Sequence, residues 1–136
     1  MRKTRLGLAA LAAVVLAGCG SPASDIFEVE RSGSIPGADL RIVVADDGTV
    51  RCNGGAPKNM GDSRLLDARE LGRELTDTAR GGRTLHAGAG TVLSYRVRLP
   101  SGILTYSDSS AGQTKAMLQL QGFVRDVAIH VCGLQR

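Results

Sequence analysis

Apolar and polar positions fall into two grammars along this chain. From Phe27 to Glu30 they alternate, as in a half-buried strand. Arg31-Ser32-Gly33-Ser34-Ile35-Pro36-Gly37 then breaks the alternation with two Gly and a Pro, the composition of a loop. Leu40–Val44 predicts a second strand, Asp46-Asp47-Gly48 a hairpin turn, and Thr49–Cys52 a returning strand. Asn53–Gly61 is rich in Gly and reads as a loop. A 3.6-residue period begins next. Leu65, Ala68, Gly72, Leu75 and Ala79, with Leu71 beside them, form the inner stripe of a helix. Asp62 or Ser63 is placed to cap it, and Gly81-Gly82 to end it. Thr84–Gly90 is a small-residue loop, expected to be mobile.

The second half repeats the order. Thr91, Leu93, Tyr95, Val97 and Leu99 alternate with polar or charged neighbours, apart from Val92. Pro100-Ser101-Gly102 turns the chain, and Ile103–Tyr106 returns. A helix is predicted over Thr114–Val131, with Met117, Leu120, Val124, Val127 and Val131 inward and Gly133 just past its end. The order is β-β-β-α-β-β-α. It predicts an α+β two-layer sandwich: an antiparallel sheet of about five strands with both helices on one face.

Residues 1–18 follow neither grammar. Arg2, Lys3 and Arg5 precede an apolar run, Leu6–Gly18. That run is shorter than the roughly 20 residues a bilayer span needs, so it reads as a signal segment. It ends in Leu16-Ala17-Gly18-Cys19, which resembles a bacterial lipobox. The resemblance implies cleavage before Cys19 and lipidation of its thiol, with further acylation of the new amine. Several acyl chains would hold the protein stably at a membrane. Residues 19–25 are then the lipidated Cys and a short tether, and 26–136 a single domain. The expected location is extracytoplasmic, on the cell membrane or on the outer membrane of a two-membrane cell.

Removing the signal changes the charge picture. The chain has 17 Lys+Arg and 13 Asp+Glu. Three of the basic residues lie in the signal, so the remainder is close to neutral at about +1. With 3% aromatic residues and no Trp, nothing supports nucleic-acid binding. At 136 residues the chain is too short for large catalytic folds.

Two cysteines remain, Cys52 and Cys132. In an oxidising compartment an even pair predicts one disulfide. A zinc site around His130 and Cys132 lacks further ligands at suitable spacing, since His86 is the only other His. His130 instead suits the last turn of the second helix, four residues after Asp126. Gly61-Asp62-Ser63-Arg64-Leu65 has the look of an esterase block, but the chain is too short for that fold and Asp126 and His130 are wrongly spaced. No nucleophile elbow and no phosphate loop exist in the sequence. Asp46 and Asp47 read as turn residues. The chain is therefore read as non-catalytic, with no metal and no cofactor.

The segment Phe27–Gly37, followed by a strand, an Asp-Gly turn and a Leu-rich helix, resembles emfourin-like proteins. These are small inhibitors of thermolysin-like metallopeptidases. Arg31-Ser32-Gly33 matches their Arg-Ser-Gly-Gly, with Ser34 in place of the second Gly. The resemblance extends in outline over Ile26–Val131 and implies a binding loop at Arg31–Gly37. In that reading Arg31 is the anchor, Ile35 is exposed, and Pro36 limits the entropy lost on docking. In the plainer reading the same residues connect two strands. The sequence thus predicts a membrane-anchored envelope lipoprotein that binds another envelope or secreted protein, as a peptidase inhibitor or as an assembly factor.

Overall fold

A computed structural model describes residues 24–135. The signal segment and Cys19 lie outside the described residues. Seven strands and two helices follow one another: β1 (Asp25–Gly33), β2 (Leu40–Ala45), β3 (Thr49–Cys52), β4 (Lys58–Asn59), α1 (Asp62–Ala79), β5 (Arg83–Thr84), β6 (Leu93–Leu99), β7 (Gly102–Ser107) and α2 (Lys115–His130). The sheet order is β4-β3-β2-β1-β6-β7-β5. All neighbours are antiparallel except β5 and β7, so the sheet is mixed. This corrects the expected five antiparallel strands. The two additions are two-residue edge strands, too short to show a period of 2.

β1 lies at the centre, paired with β2 and β6. Phe27, Val29, Ile42, Val44, Val50, Val97, Leu99 and Leu104 are buried on one face of the sheet. The opposite face carries Glu28, Glu30, Arg41, Arg96 and Arg98, tied in part by Arg41–Glu28 at 2.9 Å and Arg96–Glu30 at 3.9 Å.

Both helices cover the apolar face. α1 contributes Ala68, Leu71, Leu75 and Ala79, and α2 contributes Met117, Leu120, Phe123, Val124, Val127 and Ala128. Phe123 meets Phe27 edge to face at 5.9 Å, and the Tyr106 hydroxyl donates to the Met117 carbonyl at 2.9 Å. One contiguous core results, and every fully buried apolar side chain lies between Phe27 and Ala128. A segment beginning at Gly20 therefore retains the whole core.

The helix ends differ from expectation at one point. Thr114 caps α2 as its position suggests: its hydroxyl accepts from the Met117 N–H at 3.3 Å. In α1 the cap is Gly61, at φ 85°, with no side-chain bond; Asp62 and Ser63 are already inside the helix. Asn59 Oδ1 accepts the Gly61 N–H at 2.7 Å instead. The hairpin turn agrees with the sequence, since Asp47 Oδ1 accepts the Thr49 N–H at 2.9 Å.

Cys52 and Cys132 are joined, with their Cα atoms 5.8 Å apart. The bridge ties the end of β3 to the residue pair after α2.

Candidate functional site

The loop between β1 and β2 starts later than the sequence suggests. β1 runs on through Arg31, Ser32 and Gly33, which pair with Tyr95, Ser94 and Leu93 of β6. Alternation decides where Arg31 points. Phe27 and Val29 face the core, so Arg31 does too. It is 5% exposed, which overturns its expected role as a protruding anchor. Its Nε donates to the Ala38 carbonyl at 2.8 Å and its Nη2 to the Gly37 carbonyl at 3.0 Å. The guanidinium thus closes the loop from beneath. Burial pulls its pKa below the ordinary arginine value, and the same burial raises that of the neighbouring Tyr95 phenol. Tyr95 stacks on Tyr106 with ring centres 5.4 Å apart.

Two backbone bonds complete the brace. Ser34 N–H donates to the Val92 carbonyl at 3.1 Å, and Ala38 N–H to the Ile35 carbonyl at 3.1 Å. Gly33 is required there by space: a Cβ would stand 2.2 Å from the Val92 carbonyl oxygen. The tip remains accessible, with Ser34, Pro36 and Gly37 exposed. Ile35 is half-buried, where the sequence reading had it exposed. It turns toward a cleft of about 630 Å³ lined by Ile35, Gly37, Leu93, Tyr95, Gln121 and Arg125, with Arg31 and Asp108 in its wall. Asp108 is occupied structurally, accepting the Val92 and Leu93 N–H groups at 3.1 and 3.0 Å. The sequence signal for this cleft existed in the alternation that places residue 31 inward. Nothing in the sequence placed α2 beside the loop.

A second groove, about 360 Å³, runs between α1 and α2. Leu71 and Phe123 form its floor, and Asp67, Glu70, Glu74 and Asp126 its walls. Arg64 Nε binds Asp126, and this guanidinium holds the Asp126 carboxyl below its usual range. His130 Nε2 lies 3.6 Å from Asp126 Oδ1, the i,i+4 contact expected from the spacing. Ser63 is exposed at the start of α1. Among the described residues no group of three or more His, Cys, Asp or Glu is arranged to hold a metal, and no helix is long and apolar enough to cross a membrane.

No family model matches the chain, and neither a curated protein nor a solved structure matches it.

Proposed function

We propose that this protein is a membrane-anchored, non-catalytic lipoprotein of the bacterial cell envelope, and that the loop Arg31–Gly37 with its adjoining cleft binds another protein. Its most specific form is an emfourin-like inhibitor of a secreted metallopeptidase. One observation carries the reading. The loop is held from inside by a buried guanidinium on two carbonyls while its tip stays open to solvent. A binding loop fixed before contact loses little conformational entropy on docking. The anchor rests on the lipobox-like Leu16–Cys19, and the extracytoplasmic location on that signal together with the Cys52–Cys132 bridge. The finer architecture goes with this reading: a two-layer scaffold whose open sheet face is polar and whose helix layer meets the loop.

An assembly lipoprotein is the second reading. Leu66 and Leu118 favour it, being 64% and 55% exposed on the helix layer.

The test is an inhibition titration of thermolysin-like peptidases with residues 20–136 in the oxidised state. Stoichiometric inhibition, weakened by Ile35→Ala with Pro36→Ala at unchanged thermal stability, supports the inhibitor. A folded domain that inhibits none of them removes it. Lipidation is tested separately by metabolic labelling with a palmitate analogue: the full chain takes up label and Cys19→Ala does not.

A further inference from the structure

The solvent faces of α1 and α2 each carry one exposed leucine, Leu66 and Leu118, but differ in what surrounds it. Around Leu66, α1 is covered with Asp67, Arg69, Glu70, Arg73, Glu74 and Asp77. On α2 the outermost line reads Leu118, Gly122, Arg125 and Ile129, at helical spacings of four, three and four. Leu118 is 55% exposed, Gly122 is exposed and Ile129 half-buried. Gly122 is the anomaly. It sits mid-helix with ordinary helical dihedrals, where Gly is the poorest residue after Pro. A Cβ built on it meets nothing within 4 Å. No internal contact therefore accounts for a missing side chain. Gly122 also borders both grooves, so the low point of the α2 ridge joins the cleft beside the loop to the groove beside α1. A bare backbone flanked by exposed Leu118 is what a second helix needs for close approach, since side chains at the crossing point set the interaxial distance.

The charge differs on the two sides of this crossing: Arg125 borders the cleft beside the loop, and the groove toward α1 is lined by carboxylates, which decide the occupant on that side. Asp67, Glu70 and Glu74 have neither a side-chain hydrogen bond nor an ion pair among the described residues, and Asp126 adds a fourth carboxylate already held by Arg64. We propose that the outer face of α2, centred on Gly122, docks a basic amphipathic helical segment of a partner protein. Its apolar side seats on Leu118, its backbone crosses at Gly122 on the side away from Arg125, and its Lys or Arg side chains reach the carboxylates between α1 and α2. This extends the binding-module reading and rests on it, but uses a different surface from the Arg31–Gly37 loop.

The test uses residues 20–136, oxidised and labelled with ¹⁵N, and two synthetic helical peptides. Both carry Leu at i, i+3, i+4 and i+7; one has Lys at the remaining positions and the other Glu. The Lys peptide should shift amide signals of 118–129 and 67–74, and the Glu peptide should not. Gly122→Ala should raise Tm by about 4 °C, because it gains helix propensity without a clash. The same substitution should weaken the Lys peptide at least fivefold, and Glu70→Gln with Glu74→Gln should weaken it likewise. An interface that Gly122 does not serve would leave affinity unchanged in Gly122→Ala, and that result overturns the proposal. So does a Lys peptide that binds nowhere, or only on the open sheet face. Broadening of 118–129 on concentrating the free protein, with no response to peptide, would assign the face to a second copy and overturn it too. None of these results bears on the peptidase titration, so the two readings fail separately.

Discussion

Replacing Arg31 by Ala separates the two roles this residue has been given. An exposed binding anchor would leave stability intact and lower affinity. A buried brace does the reverse first. The substitution removes a guanidinium that donates to the Ala38 carbonyl at 2.8 Å and the Gly37 carbonyl at 3.0 Å. Hydrogen bonds to a charged group contribute about 1.5–3 kcal/mol each, and Ala38 is itself buried, so its carbonyl loses its partner where water reaches poorly. Some relaxation of the loop recovers part of this. A net loss of about 3 kcal/mol follows, or roughly 12 °C in Tm for a domain of this size. Thermal unfolding followed by circular dichroism, with the disulfide intact, reads it directly. Arg31→Lys should fall between, since one ammonium cannot match the two-pronged geometry. Arg31→Ala melting together with the parent protein would refute the brace and return Arg31 to the surface role.

Three more predictions follow from other parts of the molecule. Replacing Cys52 and Cys132 by Ser opens a loop of 80-residue separation and should cost up to about 4.5 kcal/mol, seen as a lower Tm that dithiothreitol no longer changes. Gly102→Ala should destabilise by about 3 kcal/mol, because its Cβ would stand 2.1 Å from the Ala79 carbonyl oxygen; a denaturation midpoint equal to the parent's would contradict the close packing of the β6–β7 turn on the end of α1. The Glu28 and Asp126 carboxyls are held low by hydrogen bonds from Arg41 and Arg64, so their contribution is present above about pH 4 and is lost as pH falls through their lowered pKa values. Arg41, Arg64 and Asp126 are open to solvent and Glu28 is partly covered, so Arg41→Gln with Arg64→Gln should flatten the acid side of the stability profile only slightly, and salt should shrink the difference further.

The helices and the long strands were legible because each repeats its period several times. α1 ends at Ala79, where the sequence pattern ends, and the buried set of α2 includes four of the five residues assigned to its stripe. β4 and β5 were not legible, since two residues show no period; β4 pairs with the preceding β3 across a Gly-rich loop, and β5 with β7, some twenty residues further on. The start of the Arg31–Gly37 loop and the exposure of Arg31 were misjudged for a physical reason. Ser32-Gly33 looked like a loop, yet Gly33 is a strand residue kept small by the Val92 carbonyl. The inward turn of Arg31 was available from Phe27 and Val29, but a charged residue on a core face is discounted until its partners are known. Among those partners are the carbonyls of Gly37 and Ala38, which leave no mark in a sequence. Gly88, placed in a loop expected to be mobile, packs so tightly on Ser109 that a Cβ would lie 2.3 Å from its carbonyl oxygen.

The central place of β1 has a mechanical consequence. Any tension applied through the residues before Asp25 enters on a strand paired with β2 from Asp25 to Arg31 and with β6 from Glu28 to Gly33. Pulled along its axis, such a strand resists through two ladders loaded in parallel, rather than peeling one bond at a time. If it does give way, the covalent bridge between Cys52 and Cys132 withholds the segment between them from extension. At about 3.4 Å per residue that is roughly 270 Å of chain that force alone cannot draw out. A partner gripping this domain while the other end of the chain is held would therefore pull against a short, stiff link.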